Sequence, residues 1–243
     1  MPISLTAFRA EQAIGKVWHR NAEGKITKEI RATLDAGDFL RKEFGSASEL
    51  AGYVAQLNAD VALTFGVPRD GFIQGKVVLK HQRQLNGHPA IARCSEDIQY
   101  PRGPGVLFVD IDADHYRPVE PIEARAELIE IFPALGRAPM VIVASQSSFI
   151  WDKEANACAQ GKRGAHLYVI VDHGTDVPQL AKRIIDRLWL AGRMHYAPSS
   201  SGTRLTRGLI DITMFQPERF AFSARPECCD GLECRRPDPV VFN

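Results

Sequence analysis

The sequence lacks several features that would place a protein in a broad class at once. Neither sign of charge is in excess. The chain has 30 lysines and arginines and 29 aspartates and glutamates, which gives a net charge of +1. No overall field therefore draws the chain to nucleic acid, and any such site must be a local basic groove. No apolar run reaches the length of a membrane span, and the first residues lack the charged and apolar regions of a signal peptide. These absences predict a cytoplasmic protein with no membrane partner.

Cysteine is scarce and irregularly spaced. The five cysteines are an odd number without the spacing of a disulfide framework, which favours a reducing compartment. Cys228, Cys229 and Cys234, together with Cys158, are the candidates for a zinc site. Adjacent cysteines do not easily both bind one ion, and no paired C-x₂-C is present, so a structural zinc is not expected.

The 243 residues suffice for one large domain or two small ones. Residues 1–104 mix helix and strand signals and predict an α/β subdomain on the nucleic-acid side, with a capped helix from Ser46 to Leu57. Residues 105–226 predict strands and helices in the order β-α-β-β-α-β, the split βαβ arrangement of RNA-recognition-motif folds. Such a sheet has one face free of helices, where a site can be built. Residues 227–243 are rich in proline, cysteine and arginine and predict a tail, or a linker to a further C-terminal domain.

Individual elements of the second half follow from hydrophobic periodicity. Strands are predicted at 106–111, 140–144, 166–171, 209–215 and 220–222, and helices at 118–132 and 175–190. In the first half, strands are predicted at 61–65 and 77–79. The basic residues around those two strands either form a solvated charged face or bind the phosphate backbone of a nucleic-acid template. They are Arg69, Lys76, Lys80, His81, Arg83 and Arg93.

Two carboxylates end the most informative strand, which runs from Gly105 to Asp112. Side chains alternate along a strand, so Asp110 and Asp112 point the same way, roughly 7 Å apart at Cα. Two neighbouring anions are best tolerated with a cation between them, and carboxylates suit Mg²⁺ or Mn²⁺. The alternative is a solvated strand end. Phe108 shares their face and either packs under a nucleotide or fills the floor of the sheet.

A basic, glycine-containing turn precedes the strand at 166–171. Gly161 and Gly164 permit close approach of a ligand, while Lys162, Arg163 and His166 supply charge or hydrogen-bond donors. A phosphate group fits such a turn. A hydrogen-bonded histidine on a half-buried strand is the structural alternative for His166.

A third carboxylate, Asp211, lies inside an apolar segment and needs a partner there. The partner is either an arginine, Arg204 or Arg207, or a metal ion shared with Asp110 and Asp112. The hydroxyl-rich loop from Ser199 leads to Arg204, whose planar guanidinium matches phosphate oxygens.

In this order, the three motifs resemble those of archaeo-eukaryotic primases: apolar-Asp-x-Asp at 110–112, small-x-His at 164–166 and an apolar-flanked aspartate at 211. The resemblance covers residues 90 to 226. It is closest to the primase-polymerases of plasmids, phages and mobile elements, and extends to the polymerase domain of bacterial end-joining ligases. Segments 93–97, 145–148 and 216–222 also look like the plasmid branch. One departure is Gly164, where the family often has serine; Ser147 or Ser148 is expected to supply that contact.

The resemblance implies an α+β catalytic core, with a sheet like that of an RNA-recognition motif packed against a mixed α/β N-terminal subdomain. It implies two Mg²⁺ or Mn²⁺ ions held by Asp110, Asp112 and Asp211, and a triphosphate held by His166, Arg163, Lys162, Gly164 and Arg204. The implied activity is template-directed transfer from NTPs or dNTPs to a primer 3′-hydroxyl on single-stranded DNA, with a helicase domain as a possible partner.

Two other readings of the residues remain open. Clustered aspartates also support phosphodiester hydrolysis by a metal-dependent nuclease, which has no need of a triphosphate-binding turn. A non-catalytic module that binds single-stranded nucleic acid would instead expose aromatic side chains on its central strands.

Overall fold

The computed structural model describes residues 1–85, 89–112 and 117–243, with side chains at all of these except 84, 85 and 112. Within these ranges the fold is mixed α+β, as predicted, with 19 strands and three α-helices. The helices are α1 (Ala47–Ala55), α2 (Pro121–Ile131) and α3 (Val177–Leu190). The strands of the first half are β1 (Ile3–Arg9), β2 (Gly15–Arg20), β3 (Ile26–Arg31), β4 (Gly37–Phe44), β5 (Val61–Thr64), β6 (Val67–Pro68), β7 (Gln74–Val77), β8 (Ala90–Ile91) and β9 (Ile98–Gln99). Those of the second half are β10 (Gly105–Asp112), β11 (Met140–Ala144), β12 (Ile150–Asp152), β13 (Ala157–Gln160), β14 (Gly164–Val171), β15 (Met194–Pro198), β16 (Arg204–Gly208), β17 (Glu227–Cys228), β18 (Leu232–Cys234) and β19 (Val240–Phe242).

A four-stranded antiparallel sheet lies at the centre of the second half, in the order β10-β14-β11-β19. Its first three strands are short, apolar and rich in β-branched residues, the composition that favours buried strands. Helix α2 connects β10 to β11, and α3 follows β14. The amide of Asp211 donates to the carbonyl of Asp110 at 2.8 Å, so the segment before the 3₁₀ turn at Ile212–Met214 lies along the free edge of β10.

The two faces of this sheet pack against different parts of the chain. Leu107, Val109 and Ile111 of β10 share one hydrophobic cluster with residues of α2 and α3. Val106 and Phe108 point to the opposite face and belong to a cluster that includes β1, β5 and α1. The expectation of a face free of helices is therefore wrong, because the first half of the chain covers this face with its own sheet and with α1.

The first half contributes a five-stranded sheet in the order β5-β1-β4-β7-β8. Helix α1 confirms the predicted capped helix: Ser46 accepts a hydrogen bond from the amide of Glu49. Glu49 reaches back to the amide of Gly45, one residue before the cap. The apolar side of α1, with Leu50 and Val54, packs into the cluster shared with the central sheet, so residues 1–104 and 105–226 share a hydrophobic core.

Three predicted strands differ in the structure. The one expected at 77–79 lies at Gln74–Val77 instead. Residues 209–215 were expected to be a strand, yet Asp211 accepts a hydrogen bond from the amide of Thr213 and begins a 3₁₀ turn. Aspartate competes for local backbone donors in this way, which ends a strand. Residues 220–222 form only an isolated bridge, between Leu63 and Ala221.

The segment 227–243 is the largest correction. It was expected to be a tail or linker, but β17 pairs with β2, β18 with β12 and β19 with β11. Its Arg236 is buried. The proline- and arginine-rich composition does not predict strands. These short strands form because they pair with strands that are distant in the sequence. Among the described helices, none is both long and apolar enough to cross a membrane.

Candidate functional site

Asp110 and His166 are direct neighbours on adjacent antiparallel strands. They are register partners between β10 and β14, and His166 Nε2 lies 3.5 Å from Asp110 Oδ1. The Asp110 side chain retains a quarter of its exposure, whereas that of His166 is almost fully buried. A solvent-accessible carboxylate therefore lies against a buried imidazole.

The environment of His166 favours the neutral ring. Burial, with the positive charges of Arg236 and Lys16, lowers the pKa of His166 to about 3. Its Nδ1 lies 3.2 Å from Ser223 Oγ. A neutral imidazole that faces a carboxylate is most stable with its proton on Nε2, so Ser223 donates to Nδ1. His166 is thus both a satisfied buried histidine and the neighbour of the candidate acidic site.

Asp211 is held beside Asp110 by the backbone. Its amide donates to the Asp110 carbonyl, and one oxygen of its half-buried carboxylate caps the 3₁₀ turn at Thr213. On β10, Asp112 is the register partner of Gly164, and its side chain lies outside the described residues. The structure therefore brings together the backbone positions of all three predicted aspartates and of the histidine motif.

The donor set fits a hard divalent cation. Carboxylate oxygens are the ligands that Mg²⁺ and Mn²⁺ prefer, and Asp110 is accessible enough to bind an ion. The described side chains form no cluster of three metal-binding residues, but that set excludes the side chain of Asp112. The two-ion site predicted from the sequence remains a prediction.

Ser148 forms hydrogen bonds to the backbone of the turn at 161–164, the predicted phosphate-binding turn. It is fully buried, and its Oγ accepts from the amides of Arg163 and Gly164, at 3.0 and 3.4 Å. This hydroxyl therefore holds the turn in place. Ser147, also buried, instead accepts from Lys16 Nζ at 2.6 Å.

Lys16 and Arg236 were missed by the sequence reasoning. Lys16 comes from β2, and its charge acts on His166. Arg236 donates to the carbonyls of Ser223, Ala144 and Ala224, at 2.6, 3.2 and 3.1 Å. No local motif marks either residue, because each reaches the site from a distant strand or loop.

The predicted triphosphate residues are only partly assembled. Lys162 forms an ion pair with Glu120 at 3.6 Å. Arg204 stacks 4.0 Å above the ring of Tyr196, on the hairpin of β15 and β16. No described contact connects Arg204 to Asp110, Asp211 or His166. The hairpin therefore presents Arg204 separately from the acidic site.

Phe108 and the basic residues of the first half have structural roles here. Phe108 is buried and stacks on Phe65, with ring centroids 4.5 Å apart, so it fills the floor of the sheet. Most of the basic residues are paired or stacked: Lys76 with Asp38, Lys80 with Glu96, Arg83 with Glu96 and Asp97, Arg69 with Gln99, and Arg93 over Phe220. This pattern matches a solvated, ion-paired face better than a continuous template track.

The cysteines are all free thiols. Cys228 and Cys234 pack with Trp18 and Ile150 in a small cluster, and burial raises the pKa of Cys228 to about 12. A partly buried thiol whose pKa is raised is a poor thiolate donor.

No protein-family model, curated protein or solved structure matches this chain.

Proposed function

We propose that this protein is a DNA primase-polymerase of the archaeo-eukaryotic primase type. It would transfer nucleotides from NTPs or dNTPs to a 3′-hydroxyl on a single-stranded DNA template, in the replication of a plasmid or another mobile element. The partners of this reaction are a template, a primer strand and nucleoside triphosphates, with a helicase as a further candidate.

The observation that carries the proposal is the convergence of the three sequence motifs around β10. The Asp211 amide bonds the Asp110 carbonyl on one side of β10, and His166 faces Asp110 on the other. The split βαβ core expected for this class would have the 209–211 segment beside β10, and the backbone hydrogen bond from Asp211 to Asp110 supports that expectation.

The residues present can support the chemistry as follows. Asp110, Asp112 and Asp211 would hold two Mg²⁺ or Mn²⁺ ions, which when bound supply neutralisation of phosphate charge and activation of the hydroxyl. His166, neutral and fixed by Ser223, would donate a hydrogen bond from Nε2 to a phosphate oxygen near Asp110. Arg163, whose amide is anchored by Ser148, would place its guanidinium next to that phosphate.

The decisive experiment is extension of a labelled primer on a single-stranded DNA template. NTPs and dNTPs are supplied separately, each with Mg²⁺ and with Mn²⁺, and an unprimed template tests initiation. We expect elongation by wild type, and none by Asp110→Asn. Asp186→Asn, an exposed carboxylate on α3, is the matched control and should extend normally. Absence of elongation under every condition would overturn the proposal.

A metal-dependent nuclease is the second candidate, and one observation favours it. Two of the cations expected to grip a triphosphate are engaged elsewhere, Lys162 with Glu120 and Arg204 with Tyr196. Hydrolysis needs no triphosphate grip. Shortening of labelled single-stranded DNA with Mg²⁺, lost in Asp110→Asn, would support this reading. A labelled dNTP that binds equally to wild type, His166→Ala and Arg204→Ala would support it as well.

A further inference from the structure

An open pocket of about 700 Å³ lies on the sheet of the first half, beside α1. Its volume is within the range of small-molecule sites, roughly 300–1,000 Å³. None of the described residues that line it belongs to the acidic site around Asp110. The lining includes Ala7, Leu40, Lys42, Tyr53 and Gln74, with Arg9, Asp38 and Lys76 at one end.

Strand register determines how these side chains are arranged. Ala7, Leu40 and Gln74 are cross-strand partners on β1, β4 and β7, and form the central row. Arg9, Asp38 and Lys76 form the next row in one direction, two residues along each strand. Lys42 lies two residues from Leu40 in the other direction, on the same face because side chains alternate. The central row is thus apolar at Ala7 and Leu40 and polar at Gln74, and cations lie at both ends of the pocket.

The charges of this lining do not cancel. Lys76 pairs with Asp38 at 2.6 Å, and Arg9 lies 3.6 Å from Asp60, which is outside the lining. Lys42 Nζ lies 5.3 Å from the ring centroid of Tyr53. Among the described residues it forms no ion pair. The charge of Lys42 is therefore not neutralised by a described carboxylate, and a ligand phosphate beside Tyr53 can neutralise it.

We infer that this pocket binds a free nucleoside 5′-phosphate. The apolar side chains of Ala7 and Leu40 suit the face of a heterocyclic base, since they bury the ring without requiring polar partners below it. Gln74 carries both a donor and an acceptor, which the edge of a base can use. The phosphate would lie against Lys42, in a charge-assisted contact beside the ring of Tyr53. The inference goes beyond the proposed function because it concerns a second site and needs no metal ion.

The test is calorimetric titration of AMP into the full chain in the presence of EDTA. We expect saturable binding to wild type, and affinity reduced roughly tenfold to a hundredfold by Lys42→Gln, as for loss of one charge-assisted contact. Lys182→Gln, an exposed lysine on α3, is the matched control and should bind like wild type. Adenosine and inorganic phosphate should each bind at least about tenfold more weakly than AMP, because each engages half of the pocket.

Two further variants, Leu40→Trp in the pocket and Asp110→Asn in the acidic site, distinguish loss of AMP binding from loss of primer extension. Leu40→Trp fills the floor, and we expect it to abolish binding while thermal melts show a folded protein. Asp110→Asn should leave AMP affinity unchanged even though it stops primer extension, so the pocket and the proposed function can fail independently. Any of three results would overturn the inference: no saturation by AMP, equal affinity in wild type and Lys42→Gln, or loss of binding in Asp110→Asn. Binding of a short single-stranded oligonucleotide that needs Lys42 but is not displaced by AMP would overturn it too.

Discussion

Nδ1 of His166 and Oγ of Ser223 lie 3.2 Å apart, although 57 positions separate the two residues in the sequence. Ser223 is fully buried and lies beyond the last of the sequence motifs. By donating to Nδ1, its hydroxyl keeps the proton of the imidazole on Nε2, the nitrogen that faces Asp110. A second residue therefore sets the tautomer of the histidine that the sequence singles out.

Ser223→Ala removes that hydrogen bond and leaves Nδ1 unsatisfied in a buried position. We expect the free energy of unfolding to fall by about 1–2 kcal/mol and primer extension to slow, because the imidazole can then adopt either tautomer. Urea unfolding and single-turnover extension measure the two effects. Ser201→Ala, in the exposed loop after β15, is the control. Unchanged stability and rate in Ser223→Ala would show that the contact has no role.

Stability should fall in acid because of His166. Its pKa is lowered from 6.5 to about 3 in the folded protein, mainly by burial. The unfolded chain therefore binds a proton that the folded chain does not, in the window from pH 6.5 down to about 3. Stability is complete above that window and is lost as the pH falls through it, with a slope of at most about 1.4 kcal/mol per pH unit from this group. Urea unfolding at several pH values in EDTA should show a shallower acid slope in His166→Gln; an identical slope would contradict the assignment.

Divalent ions should stabilise the protein through the three aspartates. Repulsion among neighbouring carboxylates is relieved by a cation, so Mn²⁺ should raise the melting temperature of wild type. The rise should vanish in Asp110→Ala, Asp112→Ala and Asp211→Ala. Asp211→Ala alone should also lose about 1 kcal/mol without metal, because the carboxylate caps the turn at Thr213. A Mn²⁺-dependent rise that persists in these variants, measured beside Asp186→Ala, would exclude these ligands.

The C-terminal segment should be required for folding. Arg236 is buried and donates to three main-chain carbonyls, those of Ser223, Ala144 and Ala224. Arg236→Met leaves these acceptors unsatisfied, and we expect a loss of about 3 kcal/mol. Arg235→Met, at the exposed neighbouring position, should change stability much less. A chain ending at residue 226 should lose cooperative unfolding, and a cooperative transition in that fragment would show that the segment is dispensable.

Several elements could be predicted from local pattern. The strand at Met140–Ala144, the capped helix α1 and the amphipathic helix α3 lie where periodicity and capping place them. Each is encoded within a dozen or so neighbouring residues, where spacing of apolar side chains determines which face is buried. The predicted order of elements placed the strands of Asp110 and His166 in one sheet, whereas the register that makes the two residues direct partners is seen only in the structure.

The elements that could not be predicted depend on contacts that hydrophobic pattern does not show, most of them with partners far away in the chain. Segment 227–243 forms strands only because β2, β12 and β11 present free edges to it. Local competition by the Asp211 side chain, rather than hydrophobic pattern, ended the predicted strand at 209–215. The pairing of Lys162 with Glu120 and of Arg204 with Tyr196 likewise depends on how loops meet.

The sequence by itself determined the candidate site residues, because an apolar strand that ends in aspartates and a histidine after a glycine-containing turn are local signals. Only the tertiary structure decided what surrounds them. The lowered pKa of His166 comes from burial and from Lys16 and Arg236, residues 150 positions before it and 70 after it. The burial of a side chain and the electrostatic potential at it depend on all the residues that pack around it. These residues come from distant parts of the chain, so a local stretch of sequence does not contain them.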